Sequence, residues 1–407
     1  MISFTKNVQL ISWLIYLIPL SLVCGIFVAE IIVFLIVFLF FIYIYKSKDF
    51  YYLNSTFFKI FIIIYIFLLI NSFLSKDIFL SLKVSLPYIR YGFLSLAIWF
   101  AYEKNKNFLK EFKYFFIPLI IFLLIDSFFQ FYYGKNILGY STQSSRLSSL
   151  FFDEWILGSF LQKFYPLLIL VLFNDQIGKK YIYLRSIILV FVYLIVFLSG
   201  ERTAFFLLNF FLILIMYFSL NISKKVKNFL YLIVPLVILI FIVSPIKERV
   251  FLLDSKINFK DKIINFYEHN YKYYHKTSLN IFLDNKLLGS GIKTFRVLCD
   301  DYYYLDVAKS CSTHPHNYYI QILAECGILG IFIISIFLIF LISNYIKLLI
   351  KDRRFLNQKF NQAIILSGLL VYLWPIATSG NFFNNFVSII LFFNLGLFIR
   401  NSNSNKL

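Results

Sequence analysis

The sequence predicts an all-α, polytopic membrane protein of about twelve spans, on three observations. Of its 407 residues 60% are hydrophobic and only 14% charged, with a mean hydropathy of +0.80. A soluble core cannot hide that much apolar surface, whereas a bilayer solvates it. The apolar residues fall into runs long enough to cross a bilayer, and only a helix satisfies its own backbone there without closing into a barrel. Finally, Lys and Arg are crowded into alternate loops, the signature of cytoplasmic retention. The 53 Phe and 30 Tyr, with abundant Ile, Lys and Asn, read as AT-rich codon usage and not as an aromatic binding surface.

The runs give spans near 8–25, 29–45, 57–74, 85–102, 114–132, 155–173, 181–198, 203–219, 228–245, 316–345, 361–377 and 384–400. The first follows only Lys6, is long for a signal-peptide core and has no small-x-small cleavage site, so it reads as a retained span. Lys46/Lys48, Lys104/Lys106/Lys110/Lys113, Lys179/Lys180, Lys224/Lys225/Lys227 and Lys347/Lys351/Arg353/Arg354 share one side. An even number of spans then puts both termini in the cytoplasm. The net charge of +19 is mostly this bias, so nucleic-acid binding is not needed to explain it.

The organisation expected is spans one to nine over 1–245, a large helical outer loop over 246–315, and spans ten to twelve over 316–407, with a shorter outer loop at 133–154. The large loop should hold a helix around Phe266–Asp284 and a turn at Gly289-Ser290-Gly291. No phosphate-binding Gly-Lys loop and no GxGxxG after a strand occurs. An enzyme on the outer face has no ATP, so its substrate must arrive already activated.

Cys299 and Cys311 lie in the large loop, while Cys24 and Cys326 fall in or beside spans. An oxidising space permits a Cys299–Cys311 disulfide, worth roughly 3 kcal/mol by chain entropy; two unpaired thiols are the alternative. A zinc site adding His314 or His316 lacks paired-ligand spacing, and no metal or cofactor is expected.

The sharpest signal is Ser312-Thr313-His314-Pro315-His316-Asn317 at the entrance to the tenth span. Asn317, Gln321 and Glu325 recur there at helical spacing, a polar stripe on an apolar helix. Such residues are costly in a span and mark an interior functional face. Gly327 and Gly330 read as packing glycines that let another helix approach. The second signal is arginine. Arg202 lies at the outer junction of spans seven and eight, and Arg90 inside span four. Neither loses its proton, so each needs an anion: a phosphate, or a structural partner such as Glu154 or Asp126. Arg146 in the shorter outer loop reads either as an acceptor contact or as an ordinary loop ion pair.

His316-Asn317, nine residues, then Gly327-x-x-Gly330, with Ser199-Gly200-x-Arg202-Thr203-Ala204 upstream, resembles the bacterial O-antigen ligase and O-antigen polymerase family. The stretch Phe282-Leu283-Asp284 through Gly289-Ser290-Gly291 is similar to what precedes that family's histidine motif. The resemblance implies a GT-C-type membrane glycosyltransferase in lipopolysaccharide or surface-polysaccharide biosynthesis. Such an enzyme moves a glycan from undecaprenyl diphosphate to a hydroxyl at the periplasmic face of the inner membrane. A ligase uses lipid A-core as acceptor, and a polymerase a second lipid-linked repeat. The resemblance makes His316 the general base and Arg202 the diphosphate contact, with His314, Asn317 and Glu325 orienting the base or the acceptor. The family's second arginine, before the Gly-x-Gly turn, is missing, because that stretch reads His269 to Lys276. Lys272, Lys276, Arg249 and Arg296 are the candidates to replace it. The reading from a different class, a lipid-linked oligosaccharide or anion transporter, calls for charges at mid-membrane and paired repeats, whereas the charges here cluster at the outer rim.

Overall fold

The computed structural model describes residues 2–141, 146–173, 182–219, 271–301, 311–350 and 356–403. The span expected at 228–245 and the candidate Arg249 lie outside the described residues. The helices are α1 (Ile2–Cys24), α2 (Ile26–Ser47), α3 (Thr56–Phe73), α4 (Ile78–Ser85), α5 (Ile89–Lys104), α6 (Phe108–Tyr133) and α7 (Leu157–Phe173). They continue with α8 (Ile182–Leu198), α9 (Arg202–Ser219), α10 (Lys272–Asp284), α11 (Phe295–Leu298), α12 (Tyr318–Ile350), α13 (Leu356–Tyr372) and α14 (Asn385–Asn403). Among the described residues there is no strand, only an isolated bridge between Lys135 and Ser141.

Six of these helical stretches are long and apolar enough to cross a membrane: Lys6–Cys24, Ile26–Ser47, Thr56–Phe73, Ile78–Lys104, Phe108–Tyr133 and Tyr318–Ile350. Shorter apolar helices complete the bundle. Phe27, Phe34, Ile63, Phe332 and Ile339 point outward from α2, α3 and α12 and are exposed, a surface that lipid covers and water would not. The protein is an all-α, multi-pass membrane protein.

Two boundaries depart from the hydropathy reading, and proline explains both. The segment expected at 85–102 begins earlier, at Ile78, and is interrupted by a 3-10 turn at Leu86–Tyr88, where Pro87 has no N–H to continue the ladder. The segment expected at 361–377 ends at Tyr372. Pro375 follows, and residues 373–384 form an irregular connection.

Inside the bundle α5 runs along α14. The Ser95 hydroxyl donates to the Phe392 carbonyl (2.6 Å), and Gly396 lets the Ser95 carbonyl and Ile98 come close. At one end of the bundle, Gln9 and Tyr16 of α1 and Asn105 before α6 hydrogen-bond Glu111. At the other end five connections meet: α3–α4, α6–α7, α8–α9, the segment leading to α12, and α13–α14. These are the connections that the Lys/Arg count assigns to the outer face.

The α12 helix is broken at Gly327 (φ 64, ψ −161). The break frees backbone groups that the 286–291 turn satisfies. Ser290 and Gly291 donate to the carbonyls of Ala324 and Glu325 (3.0 and 2.9 Å), and Ile328 and Leu329 donate to those of Lys286 and Leu287 (2.9 and 3.3 Å). A Cβ on Gly327 would strike the Leu287 carbonyl, and one on Gly289 the backbone between Glu325 and Gly327. The sequence reading of Gly327 as a helix-packing residue is thereby corrected, since its neighbour is a turn. The same turn is held by Asn71, whose amide donates to the Leu288 and Glu325 carbonyls (2.5 and 3.1 Å), and by Lys76 N–H on the Ser290 carbonyl (2.9 Å). Gly291 is equally constrained, with Ser75 and Ser81 against it, whereas Gly330 is crowded by Cys326 and Ile322 of its own helix.

Candidate active site

The His motif enters α12 through a fixed cap. Asn317 accepts from the N–H groups of Tyr319 and Ile320 (2.9 and 3.1 Å), and its amide donates to the carbonyls of Pro375 and Ala377 (2.7 and 3.3 Å). All its polar capacity goes into starting the helix and anchoring the 373–384 connection. His316, just outside the helix, is forced to φ 61, the left-handed region that a non-glycine residue adopts only under constraint. Its carbonyl accepts from Ser379 N–H (2.8 Å).

The His316 ring is enclosed by His314 (4.2 Å between centroids), Tyr274 (5.5 Å) and Tyr271 (5.8 Å). Ser312 Oγ lies 3.4 Å from its Nε2, at the long limit of a hydrogen bond. Burial lowers the pKa of His316 from its ordinary 6.5. His314 is pushed down to about 4, first by burial and then by the neighbouring His316. The buried imidazoles are therefore neutral at pH 7. His275, one turn from Tyr271, is lowered by burial too and hydrogen-bonds the Pro315 backbone.

Tyr271 connects this ring to two cations. Burial raises its pKa, while the charges of Arg146 and Arg202 pull the other way and Thr378 hydrogen-bonds it. Thr203, next to Arg202, meets Thr378 hydroxyl to hydroxyl. Arg146 stacks over Trp155 (4.6 Å), and its buried Nε has no hydrogen-bond partner. Glu201, beside Arg202, faces the other way. It accepts from Gly158 and Ser159 N–H (2.5 and 3.1 Å) at the start of α7, and burial pushes its carboxyl up to about 7.

The other candidates separate by what their polar atoms do. Gln321 donates to Glu325 (2.9 Å) and accepts from Phe382 N–H (2.9 Å). Glu325, fully buried, accepts from Phe295 N–H (3.3 Å) and the Lys293 backbone. Both brace the segments around the histidines. Arg90 is held by Glu30 through two hydrogen bonds (2.7 and 3.0 Å), by the Pro87 carbonyl and by the Tyr91 ring. Its structural partner is thus Glu30, not the Glu154 or Asp126 considered from the sequence; Asp126 instead accepts from Ser149 and from Ile137 N–H. Lys272 and Lys276 are exposed on α10, one turn apart. Arg296 reaches the Thr313 carbonyl (3.5 Å), with a buried Nε that has no partner.

Cys299 and Cys311 form a disulfide. It ties α11 to the residue before Ser312, and with Ile281, Phe295 and Ala324 it builds a small satellite core beside the site. Among the described residues, Cys299, Asp300 and Cys311 are the one grouping of metal-ligand types, and its two sulfurs are bonded to each other.

Residues 187–335 match the family model described as O-antigen ligase, from within α8 to the middle of α12. The matched stretch contains Arg202, the His motif and the Gly327 break. Over that stretch the chain is similar to the O-antigen ligase family. Members of this family are glycosyltransferase-type membrane enzymes. No curated protein matches the chain. Two groups at His316 escaped the sequence reading: Tyr271 beside its ring and Thr378, which hydrogen-bonds Tyr271. Each is an unremarkable loop residue whose only signal is spatial.

Proposed function

We propose that the protein is a ligase that transfers a glycan from undecaprenyl diphosphate to a hydroxyl of lipid A-core at the periplasmic face of the inner membrane. The observation that carries this reading is a neutral, constrained His316 whose neighbour Tyr271 lies in the field of two arginines. His316 takes the proton of the acceptor hydroxyl. The freed oxygen attacks the anomeric carbon as the bond to diphosphate breaks. The leaving diphosphate keeps the electron pair, and Arg202 and Arg146 stabilise its charge in place of a metal. Asn317 and the Ser379 contact hold His316, while Gln321 and Glu325 brace the helix beneath it.

The Lys/Arg asymmetry supports cytoplasmic termini, and the disulfide supports an oxidising location for the site. The reading is tested by expressing the chain in bacteria lacking their O-antigen ligase, or their polymerase, and following the lipopolysaccharide ladder. Long glycan returns in the ligase-deficient background and disappears with His316→Ala at equal membrane expression. Retained activity of that variant removes the base assignment. EDTA leaves transfer unchanged; inhibition reversed by a divalent ion overturns the metal-free mechanism.

A further inference from the structure

The residues just ahead of the histidine motif are gripped by one short helix. Cys299, at the end of α11, is bonded to Cys311, and its Sγ lies 3.5 Å from the Ser312 carbonyl. Arg296 of the same helix reaches the Thr313 carbonyl (3.5 Å). The helix is itself fixed, because Phe295 N–H donates to the buried Glu325 carboxyl (3.3 Å) while Phe295 and Cys299 pack with Ile281 and Ala324. Of these ties to residues 311–313 only the disulfide is covalent, and the other two are at the long limit of a polar contact. Breaking the disulfide therefore releases most of what holds Ser312 in place.

Ser312 is where that grip meets the chemistry. Its hydroxyl lies 3.4 Å from His316 Nε2 and is, among the described residues, the hydrogen-bonding contact of that ring. A neutral imidazole has one N–H and one lone pair, and a hydrogen bond at one nitrogen selects which is which. A Ser312 that donated would occupy the lone pair at Nε2 and leave a hydrogen on Nδ1, so the ring would have no free position for a proton. A Ser312 that accepts keeps the hydrogen on Nε2 and leaves the lone pair on Nδ1. Once Nδ1 takes a proton, the bond from Nε2–H to the Ser312 oxygen becomes charge-assisted and shortens, as catalytic hydrogen bonds that are long at rest do. The other titratable groups around the ring are His314 on its own segment and Tyr271, Tyr274 and His275 at the start of α10.

We infer that Ser312 is a positioning residue, which accepts the Nε2 hydrogen of His316 and leaves Nδ1 to take the acceptor's proton, and that the Cys299–Cys311 bond holds it there only while oxidised. This rests on His316 being the base of the proposed reaction and adds to it a redox requirement. Reduction by a dithiol supplies two electrons and two protons, turns the bond into two thiols and leaves the dithiol as its own disulfide. Cys311 is half-buried, so one sulfur is open to a small dithiol. A chain with reduced cysteines keeps the histidine but not its tautomer.

Solid-state NMR of the full-length protein in phospholipid, with nitrogen-labelled histidine, reads the ring directly. The His316 signals are those lost in His316→Ala. Above neutral pH the oxidised protein should show the Nε2–H tautomer alone. Ser312→Ala should give a mixture of both tautomers, and Ser312→Thr should restore the single form. Dithiothreitol should convert the wild-type spectrum to that of Ser312→Ala and change nothing further in that variant, a shared end point that a disulfide bracing the fold in general does not produce. Transfer should follow the same pattern. Ser312→Ala and reduction each lower kcat about tenfold, the scale of one hydrogen bond to a group that becomes charged, with KM within about twofold and no further loss when combined. An Nδ1–H tautomer in the oxidised protein overturns the inference, as does a single tautomer that persists through either Ser312→Ala or reduction. The spectra need no turnover, so a protein that shows them and transfers no glycan strikes the proposed reaction and leaves the positioning of the ring standing.

Discussion

Arg90 and Arg202 are both arginines at the margins of apolar helices, and the structure treats them differently. Arg90 meets Glu30 through two hydrogen bonds and rests on Tyr91. Its charge is met inside the fold, and the pair joins α2 to α5. Arg202 instead shares Tyr271 with a second cation, Arg146. Bringing two guanidinium groups near one another concentrates positive charge at that tyrosine. The nearest carboxylate in sequence, Glu201, is turned to the N-terminus of α7. The contrast is between an arginine whose bonds join two helices of the bundle and one that faces a tyrosine and a second arginine among the outer connections.

The largest effect that sharpens this contrast is at Arg202. Arg202→Ala should lower transfer by about 10²–10³-fold, the scale for removing one preorganised contact to developing negative charge. Arg202→Lys should recover little, because an ammonium keeps the charge and loses the planar fork. Turnover in membranes measures both, and a fully active lysine variant breaks the assignment of a bidentate phosphate contact.

At Arg90 the prediction is one of stability. Arg90→Ala and Glu30→Ala should each cost about 1–3 kcal/mol, the range for hydrogen bonds to charged groups, read as a fall in thermal midpoint of the detergent-solubilised protein. The double variant should cost clearly less than the sum, since each single change strands the other charge. Strict additivity would mean that the two groups do not act as a pair, and the comparison with Arg202 would collapse.

Much of this was legible in the sequence, for a physical reason. Hydropathy locates helices, because every span must be apolar over its length, and α2, α3, α9 and α14 begin within a few residues of the runs that predict them. Ends are less legible: Pro87 and Pro375 interrupt runs that remain hydrophobic through the break. His316 and Arg202 were singled out from short motifs, and both fall within the stretch that the O-antigen ligase model matches. What joins them was not. Arg146 is distant from Arg202 in sequence, and no local pattern announces that both approach Tyr271. The Glu30 partner of Arg90 was missed because it lies three helices away, in the apolar run of α2. Gly327 was legible as a special position but not as a helix break, since the evidence for the break is the 286–291 turn that fills it.

The smallest effect concerns pH, and it separates the histidines from the arginines, which stay charged throughout. Burial holds His316 below its ordinary 6.5, so the neutral base persists as the pH falls past that value. Transfer should change by less than about twofold between pH 7.5 and 6.5 and lose its activity on an acid limb whose midpoint lies below 6.5. Stability follows the same sign through His314, whose folded pKa is about 4. Above 6.5 both folded and unfolded chains hold it neutral, and the native state is at full strength. As the pH falls from 6.5 toward 4 the unfolded chain takes up the proton first, and stability is lost across that window. A pH profile of transfer, run beside thermal unfolding in the same buffers, reads both. An acid limb above 6.5 would mean that His316 is held in its charged form, and a general base in that state at pH 7 could not accept the acceptor's proton.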